Sequence, residues 1–148
     1  MVMKNIIYNS WVAKTVLCLS KCHTIMFFGF VFSKLKQEEV TQRVRNHECV
    51  HARQWFEVTA LSGSVLLTIV LVFGISPWWM LLSGGIYYVW YVLEWICKSV
   101  WYSVMIDEWT CDMETPYQSI SFEREARLSE RDNNYLENSG YFGWLKKL

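Results

Sequence analysis

Polar and apolar positions divide this chain into four stretches. Residues 5 to 33 are rich in β-branched and aromatic side chains, with "HTIMFFGFVFSK" the clearest strand-like run, bounded by Lys21 and Lys34. Lys14, Lys21 and His23 interrupt this stretch, and charges at mid-bilayer are costly, so it is expected to form one or two β-strands rather than a membrane crossing. From Leu35 the pattern turns helical. "KLKQEEVTQRVRNHECVHARQW" carries charges and no Gly or Pro, which predicts a polar helix over 35 to 55. The apolar run "FEVTALSGSVLLTIVLVFGI", residues 56 to 75, is interrupted only by Glu57. As a helix it would rise about 30 Å at ~1.5 Å per residue, one bilayer crossing. Ser76-Pro77 is expected to end it, since proline cannot donate and restricts the residue before it. A second run, "PWWMLLSGGIYYVWYVLEWICKSVWYSVMI", is long enough to return, with Glu94 and Lys98 spaced to pair on one helix face. Residues 56 to 106 therefore predict a transmembrane helical hairpin. The soluble alternative, a buried pair of core helices, leaves too little other chain to cover both apolar surfaces.

From Asp107 to Leu148 the chain is polar, with a turn at "METPY", then "QSISFEREARLSERDNN" and a short amphipathic end, "YLENSGYFGWLKKL". Ser119 or Ser121 is expected to cap a helix with Glu123 and Glu125 in its first turns, where carboxylates also suit the helix dipole. The fold class read from this pattern is mainly α and membrane-embedded: one domain of 148 residues, with a small N-terminal β element and a polar helix leading into the hairpin.

Composition strengthens the membrane reading. Hydrophobic residues make up 53% of the chain, and nine Trp, eight Tyr and eight Phe are a density typical of membrane-interface belts. Trp55, Trp95 and Trp101 fall near one expected boundary, and Trp78 and Trp79 at the hairpin tip. Lys+Arg equals Asp+Glu at 14 each, which gives no reason to expect nucleic acid as a partner. Lys34, Lys36, Arg43, Arg45 and Arg53 flank the first crossing while "GISPWWML" at the tip carries no charge, so the polar segments are expected on the cytoplasmic side. The five cysteines, Cys18, Cys22, Cys49, Cys97 and Cys111, are odd in number and lack zinc-ribbon spacing. They read as reduced thiols, the Cys18-Cys22-His23 grouping included. "MVMKNIIYNSW" has no uninterrupted apolar core and does not read as a signal peptide.

Chemistry enters at "RNHECVHARQW", residues 45 to 55. On a helix, His47 and His51 are separated by about 400° and ~6 Å of rise, so their rings project from one face and can converge on one ion. A catalytic zinc normally takes a third protein ligand and keeps a position for water. Glu48, next to the first histidine, is placed to act as general base. The bland alternative is a polar helix that spells HExxH by chance. No histidine follows His51, so the remaining candidates for a third ligand are carboxylates, among them Glu123 and Glu125 of "SFEREAR". A shared site needs an even number of crossings between residues 51 and 123, and a hairpin supplies two. Taken alone, "FEREAR" also suits a solvated helix in which Glu123 and Arg127 form an i,i+4 pair.

"HECVH" followed, after a membrane hairpin, by Glu-x-x-Ala resembles the integral-membrane gluzincins, which include the heat-shock and CAAX-prenyl membrane peptidases and the BlaR/MecR-type sensor peptidases. More closely, "TIMFFGFVF", "NHECVHARQ" and "ISFEREAR" in order look like a small group of Bacteroidetes membrane proteins, a likeness running from about residue 20 to the end. The resemblance implies zinc (Zn2+) as cofactor, His47, His51 and Glu123 as its ligands, Glu125 as reserve, and Glu48 as general base. In the better-known relatives an aspartate after the alanine supports a ligand histidine; Arg127 stands at that position here, leaving Asp132, Glu125 or Glu57 to take the role. The same analogy sets "HTIMFFGFVF" along the cleft to pair with an extended substrate, or as an edge strand shielding the zinc helix. Tyr117, Tyr135, Arg127 and His23 are all chemically able to serve an oxyanion.

The expected function is a zinc-dependent membrane endopeptidase of the bacterial inner membrane, its site on the cytoplasmic side and its partners polypeptide substrates and the lipid bilayer. The alternatives are a non-catalytic zinc-binding sensor or interaction module, which the Arg127 departure favours, and a membrane scaffold with no metal.

Overall fold

The computed structural model describes residues 6–18, 22–105 and 114–148. Lys21, Cys111, the "METPY" turn at Met113 and the expected boundary at Asp107 lie outside them. The chain is mainly helical, with a three-stranded sheet. It divides into two compact units, Met1–Trp55 with Ala126–Tyr141 and Phe56–Glu125 with Phe142–Leu148. The borders fall inside two unbroken helices, α2 (Gln42–Phe73) and α5 (Ser121–Ser129).

In the first unit, β1 (Ile6–Ile7), β2 (Thr24–Phe27) and β3 (Phe30–Ser33) form a sheet in the order β1-β3-β2. β2 and β3 are an antiparallel hairpin pairing Thr24 with Ser33 and Phe27 with Phe30, and β1 runs parallel to β3. The β element expected over 5 to 33 also contains a short helix, α1 (Trp11–Val16). It follows Asn9, whose φ is 52°, and is tied back by the Ser10 N–H donating to Ser33 O at 2.9 Å. α2 begins at Gln42, not at Leu35, although no Gly or Pro intervenes. The Lys36 N–H donates to Glu39 Oε2 at 2.8 Å and the Glu39 N–H to Lys36 O at 3.1 Å, closing a turn before the helix. Thr41 then caps α2: its Oγ1 accepts from the Val44 N–H at 3.4 Å and its carbonyl from the Arg45 N–H at 3.1 Å. The core of this unit includes Ala13, Met26, Val31, Val40, Val50 and Ala52.

α2 continues without a break from the polar into the apolar stretch. Its 32 residues span about 48 Å. Gly74 stops it with a φ of 61°, the left-handed residue that commonly closes a helix, three positions before Pro77. A 3-10 turn (Pro77–Leu82) leads into α3 (Ser83–Met105). The Ser62 hydroxyl, which donates to Val58 O at 2.7 Å, lies 3.4 Å from Ser83 O, and a Cβ on Gly63 would lie only 3.8 Å from that of Ser83, so small residues let the two helices approach. Gln42–Phe73 and Pro77–Met105 are both long and apolar enough to cross a membrane. Only 17% and 11% of their most apolar windows are buried, unlike the interior helices of a soluble core.

Glu94 of α3 does not serve Lys98 as the spacing suggested; it accepts from the Ser121 N–H at 2.8 Å and from the Ser121 hydroxyl at 2.6 Å. This carboxylate therefore caps α5 from another helix. The expected caps are engaged elsewhere, Ser119 donating to Pro116 O at 2.7 Å and Ser121 to Glu94. α4 (Glu114–Ser119) precedes α5, and α6 (Tyr135–Asn138) and a 3-10 turn (Gly143–Lys147) follow it. Phe122 of α5 packs among Tyr87, Tyr91 and Trp144, at centroid distances of 4.8, 6.1 and 4.7 Å.

Candidate metal centre

His47, His51 and Gln54 recur at i, i+4 and i+7 on one face of α2, as the helical period demands. Each ring has its Nδ1 beside an oxygen: Glu130 Oε1 lies 3.1 Å from that of His47, and Gln54 Oε1 lies 2.9 Å from that of His51. With Nδ1–H donating in both rings, the Nε2 atoms carry lone pairs, and these two atoms face each other at 3.1 Å. Two Nε2 lone pairs facing one another in this way suit a shared metal ion. The separation is close to the ligand–ligand edge of about 3.3 Å expected for tetrahedral zinc with Zn–N bonds of 2.0–2.1 Å.

Glu123 sits one turn into α5, 1% exposed. Its Oε1 accepts from the hydroxyls of Tyr91 at 2.7 Å and Tyr117 at 2.8 Å. Two phenols donating to one oxygen hold this buried carboxylate in place. It does not pair with Arg127, which is exposed. His47 and His51 belong to the first unit, and Glu123 belongs to the second. Within the first unit, two imidazoles, each with a second residue at its Nδ1, offer two of the donors that zinc takes.

Glu48 is half-buried, and its Oε1 accepts from the Thr24 hydroxyl of β2 at 2.6 Å. Glu125 is fully buried, so close to Gly143 that a Cβ there would collide with its carboxylate. The carboxylate seen beside a histidine Nδ1 is that of Glu130, which also pairs with Arg43, and not one of the three expected candidates, Asp132, Glu125 or Glu57. Asp132 accepts from the Asn134 N–H at 2.9 Å and Glu57 from Trp144 Nε1 at 3.2 Å. Of the groups named for an oxyanion, Tyr117 donates to Glu123. Tyr135 stacks under Arg53 at 5.7 Å, and His23 and Arg127 are exposed. The described cysteines, Cys18, Cys22, Cys49 and Cys97, are thiols rather than disulfides.

Glu130, Gln54, Tyr91 and Thr24 were missed in the sequence. For the first two a signal existed: Gln54 follows His47 and Glu130 follows Glu123 by two helical turns, the spacing that returns a side chain to nearly the same face. Tyr91 and Thr24 carried none, being residues of other elements. Comparison with protein-family models, curated proteins and solved structures found no match for this chain.

Proposed function

We propose that this chain is a zinc-dependent membrane endopeptidase that hydrolyses membrane or membrane-proximal polypeptides. The observation that carries the reading is the imidazole pair, each Nδ1 engaged by an oxygen and the two Nε2 atoms 3.1 Å apart. By the likeness to membrane gluzincins, His47, His51 and Glu123 would hold the ion. Bound there, zinc supplies Lewis-acid polarisation of the scissile carbonyl and lowers the pKa of water to about 7. Glu48 takes the proton of the attacking water and returns it to the leaving amine as the C–N bond breaks. Thr24 orients the Glu48 carboxylate, and Glu130 and Gln54 keep the two rings in the tautomer whose Nε2 is a ligand. β2 is an edge strand of the sheet and carries Thr24, so an extended substrate pairing with that edge would lie beside Glu48. The likeness to membrane gluzincins supports the same reaction and a bacterial inner membrane, and the basic residues flanking the first crossing support a site on its cytoplasmic side.

Arg127 at the position of the relatives' aspartate favours a second reading, a zinc-binding module without turnover. Glu130 weakens that case by supplying a carboxylate to His47. Purified protein, its Glu48→Gln variant and its His47→Ala variant separate the readings when zinc content and cleavage of an unstructured polypeptide are measured together. Glu48→Gln is expected to lower cleavage by about 10²–10⁴-fold with zinc retained, and His47→Ala to lose the zinc. Zinc without cleavage in the wild type would leave the module, and no zinc in the wild type would leave a scaffold.

A further inference from the structure

The tip of the β2–β3 hairpin is Phe27-Phe28-Gly29-Phe30, an apolar turn where the backbone favours a different residue. Phe28 and Gly29 both have positive φ, 49° and 76°. That pair of values favours Asn-Gly, because a bulky side chain is strained there. Phe27, Phe28 and Phe30 are nevertheless 48%, 45% and 47% exposed. Neither backbone preference nor full burial accounts for three phenylalanines at this point, and exposed apolar clusters of this kind mark surfaces that meet a partner or a membrane.

The position of the tip identifies which. The Phe28 ring meets Trp55 edge-on at 6.0 Å. Trp55 is the last residue before the apolar run of α2, and Phe56 beside it is half-exposed. Once α2 crosses a bilayer from Phe56 onward, Trp55 stands at the headgroup level, where tryptophan is favoured. The hairpin tip, in contact with it, stands at the same level. We infer that Phe27, Phe28 and Phe30 insert at the headgroup–acyl boundary of a phospholipid leaflet, a membrane attachment additional to the two crossings. The inference rests on reading α2 as a crossing. Its consequence is mechanical: Thr24, on the same strand three residues from Phe27, holds Glu48, so the lipid surface fixes the depth of the strand beside the proposed general base.

Photo-crosslinking tests this. p-Benzoylphenylalanine is placed singly at Phe27, Phe28, Leu71 and Glu38, and each protein is reconstituted in phosphatidylethanolamine–phosphatidylglycerol vesicles and irradiated, with adducts read by mass. Leu71 is 74% exposed on the apolar stretch of α2 and reports the crossing. Glu38 is exposed on the turn before α2 and reports water. Phospholipid adducts at Phe27 and Phe28 are expected about tenfold or more above those at Glu38 and comparable to those at Leu71. Lipid adducts at Leu71 but not at either phenylalanine, or polypeptide–polypeptide adducts from Phe28, overturn the inference and leave the crossing intact. Absence of lipid adducts at Leu71 as well overturns both.

Discussion

In the first half of α2 the polar residues Asn46, His51, Arg53 and Gln54 are buried, whereas in the second half Leu61, Val65, Leu67, Leu71, Val72 and Phe73 are exposed. One helix thus reverses the usual relation between polarity and burial twice, in opposite senses. Buried polar groups persist only where each has a hydrogen-bonding partner, and the first half provides them: Asn133 to Asn46, Gln54 to His51, Ser139 to Arg53. A row of exposed aliphatic side chains persists where the surroundings are themselves apolar. The first half therefore suits a polar interior and the second half a lipid solvent.

Substitutions in the two halves should respond differently, and the largest effect is expected in the second. Leu67→Arg introduces a charge on the exposed apolar face and should cost about 3 kcal/mol of insertion free energy, read from the inserted fraction in a translocon assay with glycosylation tags. An unchanged inserted fraction would mean that this face meets water, and the contrast between the halves would collapse. Glu130→Ala leaves the apolar half untouched and frees the His47 ring to rotate. Zinc affinity, followed by competition with a chromogenic chelator, should fall about 10–100-fold while insertion stays as in the wild type. Equal zinc affinity would show that Glu130 is a surface partner of Arg43 alone. The smallest effect belongs to the cap on α5. Glu94→Ala leaves the buried Ser121 N–H and hydroxyl without their acceptor, and thermal stability in detergent should drop by about 1–2 kcal/mol. A variant as stable as the wild type would indicate that water replaces the carboxylate.

What could be read in the sequence followed the range of the interaction. The histidine pair, the two apolar runs and the end of the first run near Ser76-Pro77 are local properties, set by the helical period, by segment length and by the limits of proline. Even locally, competing hydrogen bonds shifted a boundary: the turn closed by Lys36 and Glu39, with Thr41 as cap, postponed a helix that composition alone would begin at Leu35. α1 was missed because its six residues, rich in β-branched types, carry a strand-like composition.

From the sequence alone came a helical chain with a histidine pair on one helix face, two apolar helices of bilayer length and a small β element, since each follows from side chains within a few turns of one another. Only the tertiary structure decided that Glu130 supports His47 from 83 residues away, that Glu94 caps a helix 27 residues downstream, and that two tyrosines hold Glu123. Such pairings depend on how distant segments pack, and several carboxylates with equal local credentials compete for each role. Composition can nominate all of them, but the distance and direction between groups far apart in the chain choose one.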